Sequence, residues 1–245
     1  MDRLIYTALT GLSARSRAQA VTANNLANAG TTGFRREIIA AEGRYLAAAT
    51  PTTRAQAGAP SVTTPGEPGR TNATGRPLDI ALAANGWLVI QGPVVAGQPT
   101  ENYTRRGDLG ITPAGLLETG DGHAVLGQNG APVTVPAGAS LDIAPDGSLS
   151  ARIGDAVTPL GRLKLVSGRN LEKATDNQFT ARTPLAIDPA ARLLPGALEA
   201  SNVQTAGALT ELVEQSRGFE VNARLLGIAK DIDERTARLM SLDAQ

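Results

Sequence analysis

The longest regular pattern in the chain lies toward its C-terminal end, from about residue 202 to residue 242. One apolar stripe runs through Leu209, Leu212, Ser216, Phe219, Ala223 and Leu226 in alternating steps of three and four. A second follows Val221, Leu225, Ile228, Ile232, Leu239 and Leu242 at heptad-like spacing. Ser201 and Asn202 stand where N-caps belong, and no proline follows Pro195. The pattern predicts one long helix with more than one neighbour. A shorter helical pattern opens the chain, with Ile5, Ala8, Leu12 and Leu26 in one register and Leu4, Gly11, Ala18 and Asn25 in another. At 1.5 Å per residue the two helices would measure roughly 60 and 35 Å, more than a compact domain needs. Long helices with small, thin apolar faces are marginal alone and gain stability by burying those faces against neighbouring chains. Leu4, Ala8 and Leu12 on the first helix, and Leu209, Leu212, Phe219, Leu226, Ile228, Ile232 and Leu239 on the second, are therefore candidate assembly residues.

The opening helix ends in Ala23-Asn24-Asn25-Leu26-Ala27-Asn28, followed by Thr31-Thr32-Gly33-Phe34. Asparagine is a mediocre helix former that caps termini and tolerates the left-handed conformation, and glycine supplies positive φ. The segment is either an ordinary capped helix end or a sharply defined exit whose amides bond other chains. One Asn amide offers both donors and an acceptor, so it can serve both purposes. In the second reading Asn24, Asn25 and Asn28 make hydrogen bonds within the subunit and to its neighbours. Leu26 is then the buried apolar anchor of the turn, Gly33 permits the reversal, and Phe34 packs on the β region or the next chain.

Between the helices the periodicity changes twice. Residues 47–76 are rich in Thr, Pro, Gly and Ala without an apolar period, and read as extended or mobile connection. From Pro77 to Ser167 the pattern is strand and turn. Leu78, Ile80 and Leu82 alternate with Asp79 and Ala81, and the apolar run Trp87-Leu88-Val89-Ile90 follows. Val133-Thr134-Val135, Leu141-Asp142-Ile143 and Leu163-Lys164-Leu165-Val166 read as further short strands. Asp121-Gly122, Asn129-Gly130 and Asp146-Gly147 sit where hairpin turns belong. The expected fold is α+β, with a central all-β domain and paired terminal helices. The expected organisation is an N-terminal helix over 1–33, an extended connector over 34–76, the β domain over 77–167, a return connector over 168–200 and a C-terminal helix over 201–245. Charge favours pairing of the two ends. Residues 1–46 carry six arginines against three acidic groups, a net of +3, and residues 201–245 carry five basic and seven acidic groups, a net of −2. Screening keeps each such pair weak.

These residues resemble the flagellar rod and hook protein family. The Ala23–Asn28 segment, then Thr32-Gly33-Phe34 with Arg35 and Arg36, is similar to that family's N-terminal signature. Leu78-Asp79-Ile80-Ala81 with Asn85-Gly86-Trp87, Tyr103-Thr104-Arg105-Arg106-Gly107 and Gly161–Val166 resemble its central motifs. Leu198-Glu199-Ala200-Ser201-Asn202-Val203 resembles the lead-in to its C-terminal helix. The opening Met1–Ala8 and the moderate length are most similar to proximal-rod members, with distal-rod members the nearest alternative. The resemblance implies a structural subunit, exported without a cleavable signal by the flagellar type III apparatus and stacked into a tubular rod crossing the periplasm. Its partners would be further copies, neighbouring rod proteins and the export apparatus. It also implies that the paired helices form a coiled-coil layer with the β domain outside.

Other classes find little support. The formal net charge is zero and aromatic residues make up 3 %, which favours neither nucleic-acid nor broad membrane attraction. No run of about 18 apolar residues offers a membrane span, and the first residues lack the apolar core of a secretory signal. With no cysteine and a single histidine, His123 in a turn context, thiolate sites, zinc sites and catalytic triads have few candidates. No glycine-rich phosphate cradle is present. The reading is therefore of a non-enzyme with no catalytic, cofactor or metal residues and no small-molecule substrate. A secreted β-domain binding module, or an enzyme using carboxylate pairs, is the alternative from another class.

Overall fold

Trp87-Leu88-Val89-Ile90 lies in the strand Gly86–Val95 and is buried on both of its sides in the computed structural model. Leu88 and Ile90 enter one apolar cluster with Ile80, Leu117, Val125 and Leu165. Trp87 and Val89 point the other way, into a second cluster with Tyr103, Leu126, Val166 and Phe179. Successive side chains of a strand face opposite sides, so a run without polar alternation marks a strand covered on both faces.

The structure describes residues 2–40, 43–45, 55–57, 61–83, 85–95, 97–169, 171–174 and 177–242. It divides into two compact units, one of residues 28–36 and 64–203 and one of residues 1–27, 37–63 and 204–245. The first is the β unit. Its largest sheet is antiparallel and runs in the order Leu165–Ser167, Gly86–Val95, Gln98–Thr104, Phe179–Thr180, Glu172–Lys173. A meander of Ser140–Ile143, Ser148–Ile153 and Ala156–Arg162 turns at Asp146-Gly147, where Gly147 has φ +86°. Leu141, Ile143, Leu149 and Ala151 are its buried positions, alternating with more exposed ones. Val133-Thr134-Val135 is buried at both valines but pairs through one bridge, Leu116 with Thr134. Pro132 and Pro136 flank it and withhold ladder donors. Leu163 likewise makes one bridge, to Gly127, and the ladder starts at Leu165.

Within the segments read as connectors, several described stretches form short paired strands. Thr71–Ala73 pairs with Ala197–Glu199, and Ile80–Leu82 with Leu193–Pro195. In the other unit Ile38–Ala40 pairs with Ser61–Thr63, and Gly43–Tyr45 with Ala55–Ala57. Such short ladders are held by backbone hydrogen bonds, so they carry no apolar period for a sequence reading to find.

The second unit also holds two helices, α1 (Asp2–Ala27) and α2 (Thr205–Leu242). They lie against each other, yet the expected coiled-coil layer is not formed and strands predominate among the described elements. A coiled coil needs apolar knobs seated in the partner's holes. Here Gln215 of α2 donates to the Thr22 hydroxyl at 3.0 Å, and Gly218 lies against the Arg15 guanidinium. The apolar stripe of α2 is left open instead. The helix also starts three residues later than expected. Asn202 does not cap it but bonds residues 36 and 67, and the first turn closes from Ala208 to the Gln204 carbonyl at 2.9 Å.

Asp79 ties the loop between two of the short ladders of the β unit. Its carboxylate accepts from Arg76 at 2.6 and 2.9 Å and from the Thr74 hydroxyl at 2.6 Å. Burial alone would raise its pKa, but the hydrogen bonds from Arg76 and Thr74 and the charge of Arg76 outweigh it, leaving the carboxyl below its ordinary 3.8. A depressed folded-state pKa stabilises the fold above the unfolded value and loses that contribution as pH falls through the folded one. Asp79→Asn is therefore expected to be less stable than the parent at neutral pH. The gap should shrink as pH drops below about 4, measured by denaturant unfolding across a pH series.

Candidate assembly site

The C-terminal helix carries its apolar side chains into the open. Val221, Leu225, Ile228 and Ile232, spaced by four, three and four, are 56, 55, 56 and 48 % exposed. Leu209 is also exposed, whereas Leu212 and Phe219 are half-buried. Leu12 on α1 is half-buried as well. The side chains of Leu4, Ala8, Leu226 and Leu239 lie outside the described residues. Isoleucine, leucine and valine repeating on one helix face with half their surface in water is the signature of a surface awaiting a partner.

At the exit of α1 Asn25 is buried, and Leu26, the expected anchor, is half-buried in the single chain. The Asn25 amide donates to the Glu37 carbonyl at 2.8 Å and accepts from the Glu37 amide at 2.8 Å. This side chain presents a donor and an acceptor side by side, as a neighbouring strand would. The positions need an amide, which leucine cannot replace. Asn24 is exposed, and the Asn28 carbonyl and side chain both bond Thr31, at 3.1 and 3.2 Å.

In the β unit, three motifs from distant parts of the chain meet around one carboxylate. Gly33 takes φ +66°, and its amide donates to the Glu199 carbonyl at 2.7 Å. A Cβ at Gly33 would stand 2.4 Å from the Arg105 carbonyl, so both conformation and space exclude a side chain. The reversal delivers Phe34 and Arg35 into the interior. Phe34 is buried, with the Lys173 ammonium 3.8 Å from its ring centre and also donating to the Arg35 carbonyl at 3.2 Å. Arg35 reaches Glu199 at 3.0 Å and donates to the carbonyls of Gly66, at 2.9 Å, and Glu67. Arg105 reaches the other oxygen of Glu199 at 2.6 Å and donates to the carbonyls of Gly86 and Leu82 at 2.6 and 2.8 Å. The Gly69 amide adds a third donor to Glu199 at 3.0 Å. The side chains of Arg35, Arg105 and Glu199 are 4, 1 and 3 % exposed. Burial chiefly, and repulsion from Arg105, pull the Arg35 pKa down to about 10 against the attraction of Glu199, and the group stays charged at neutral pH. Asn202 continues the arrangement, accepting from the Arg36 amide at 2.7 Å and donating to the Glu67 carbonyl at 2.9 Å.

Sequence reading singled out Gly33 and Phe34 but not Arg105, Glu199 or Asn202 as a cluster. Their signal is weak: single charges set within apolar motifs, Tyr103-Thr104-Arg105 and Ala197-Leu198-Glu199-Ala200. His123 sits near a turn carboxylate, its Nδ1 3.3 Å from Asp121, and its Nε2 is 2.7 Å from the Gln178 amide. Among the described residues no group of acidic or histidine side chains could hold a metal ion, and no helix is long and apolar enough to cross a membrane.

Comparison with known proteins gives two family matches, one to the flagella basal body rod protein model over residues 5–35 and one to the flagellar basal body rod FlgEFG protein C-terminal model over residues 194–239. The first match ends at Arg35 and the second contains Glu199. The chain is 39 % identical to the flagellar basal-body rod protein FlgF of Salmonella typhimurium, over 99 % of this chain and 100 % of the relative. It is 38 % identical to FlgF of Escherichia coli over the same shares. The flagellar basal-body rod protein FlgG of Bacillus subtilis is 28 % identical, over 98 % of this chain and 99 % of that one.

Two substitutions separate the structural devices. Glu199→Gln leaves two buried guanidiniums without a counter-charge and is expected to cost about 3–5 kcal/mol of unfolding free energy. Asn25→Leu orphans the Glu37 amide and carbonyl and is expected to cost about 1–3 kcal/mol despite better helix propensity. Denaturant titration of the purified variants reads both, and a loss under about 0.5 kcal/mol, the range of an ordinary surface change, would contradict either account.

Proposed function

The chain belongs to the flagellar basal-body rod family, and from that membership we propose that it is a non-enzymatic subunit of the proximal rod, built into a tubular shaft that serves motility. The proximal level is supported by the higher identity to FlgF relatives, 39 and 38 %, than to the FlgG relative at 28 %. In this reading its partners are further copies and neighbouring rod proteins, and it sits in the basal body within the periplasm. It leaves the cytoplasm through the flagellar export apparatus. The interface residues are those already named on α1 and α2, with Asn24 and Asn28 near them in sequence, while Gly33 and Phe34 are buried within the β unit.

The observation that carries the proposal is the open stripe Val221, Leu225, Ile228 and Ile232. Removing such a face from water is worth about 25 cal/mol per Å² of apolar area, a gain that a neighbouring chain can supply. A head-to-tail contact that does not close on itself generates an open helical stack, which is the geometry a shaft requires.

The stripe also makes the test clean, because its residues are exposed in the single chain. Leu225→Asp and Ile228→Asp are expected to change unfolding free energy by no more than about 0.5 kcal/mol, as surface changes do. Each places a charge in the contact and is expected to abolish incorporation into rods and swimming, while Ile228→Val retains both. Isolated basal bodies probed for the subunit, with a motility assay, decide the matter. Intact rods and normal swimming in the Asp variants would show that the stripe faces solvent in the assembly.

A further inference from the structure

The β unit contains a cavity of about 350 Å³ with an apolar floor and a cationic wall. Trp87 and Phe179 form the floor, their rings tilted with centroids 4.6 Å apart, and Leu171 adds to it. Arg35, Arg105 and Arg169 line it together with neutral residues such as Thr64 and Asn85, Arg169 being the exposed arginine. No acidic side chain is among the described residues that line it. Glu199 bonds both buried guanidiniums, Arg35 and Arg105, from one side. Arg105 is held on three sides, over Trp87 and by bonds to Gly86 and Leu82. Arg35 differs, since its Nε is buried and has no hydrogen-bond partner among the described residues. A buried, ionised donor left without an acceptor carries the full cost of its desolvation.

We propose that this cavity receives the carboxylate of an aspartate or glutamate side chain from a neighbouring chain in the rod, an inference that rests on the assembly reading above. The terminal nitrogens of Arg35 are taken by Glu199 and two carbonyls, so its Nε–H is the donor left for a carboxylate oxygen, and Arg169 at the mouth supplies a second cation. The aromatic floor takes the methylene stem of the incoming side chain. The volume lies at the small end of ligand cavities, fitting one side chain with its waters better than a cofactor.

Trp87 is the only tryptophan of the chain, so its emission reports directly on the cavity floor. The purified full chain is titrated with N-acetyl-glutamate N-methylamide, with its glutamine counterpart and with inorganic phosphate. The expected result is a saturable change with the capped glutamate alone, about fivefold weaker in Arg169→Gln, as loss of one partly exposed ion pair gives. The Arg169→Gln melting curve should be unchanged. No saturable response, an equal response to capped glutamine, or equal competition by phosphate would overturn the carboxylate site. The chain has no cysteine, so Arg169→Cys introduces a unique thiol at the mouth. Slower maleimide labelling in isolated rods than in the monomer is expected, and equal labelling would overturn the neighbouring chain as the source. Absence of the subunit from rods would overturn the assembly reading and the neighbour with it, while the titration still decides whether the cavity takes a carboxylate.

Discussion

One carboxylate, Glu199, accepts from two buried guanidiniums and a backbone amide, and the closure of the β unit depends on it. The gain from such a group is not principally stability, since apolar residues of the same volume often serve as well or better. Its contribution is specification. Arg35 and Arg105 also donate to named carbonyls, so the three charges meet in one arrangement and any other leaves buried charge apart from its partner. Glu199 ends the strand Ala197–Glu199, whose partner is the featureless Thr71–Ala73. A slip of one residue there would turn the carboxylate to the opposite face. The cluster thus sets a register that the strand sequences could not set themselves.

Glycine plays the complementary part. Gly33 allows the chain to double back at the one point where the Arg105 backbone lies too close for any side chain. The turn and the ion cluster are therefore coupled: the left-handed backbone places Phe34 and Arg35 inside, and the bonds of Arg35 hold the turn in place. Lys173 covers Phe34 from the far side and takes the Arg35 carbonyl, which leaves the reversal bonded at both its main chain and its side chains.

Local chemistry decided how much of this could be seen in the amino-acid order. The run Trp87–Ile90 and the alternation at Leu141 and Ile143 were legible because burial itself is written in apolar residues. The paired ladders in the connectors were not, because backbone bonds leave no trace in composition. The asparagine segment pointed to amides that carry bonds, yet only the fold shows that Asn25 is buried and that Glu37 is its partner. Glu199 was least legible of all, since its partner Arg105 lies 94 residues away and nothing nearby demands a charge. On α2 the spacing of the stripe was readable, but its partner was not. Polar contacts between Thr22 and Gln215 take the place that apolar knobs would occupy, so the expected coiled coil gives way to an open face.

The bond from the Arg36 amide to Asn202 spans 166 residues of chain. Contacts of that separation dominate folding time, because the entropy of closing the loop is lost before any native contact repays it. Glu199 ends the last of the described strands in chain order, so the segment that completes the β unit is made after the rest of it. A nascent chain therefore keeps the β unit open until Glu199 has been made, since Arg35 and Arg105 lack their carboxylate before then. Closure of the β unit is in this way tied to the last of its described strands, so the earlier strands wait for a carboxylate that the order of the chain delivers late.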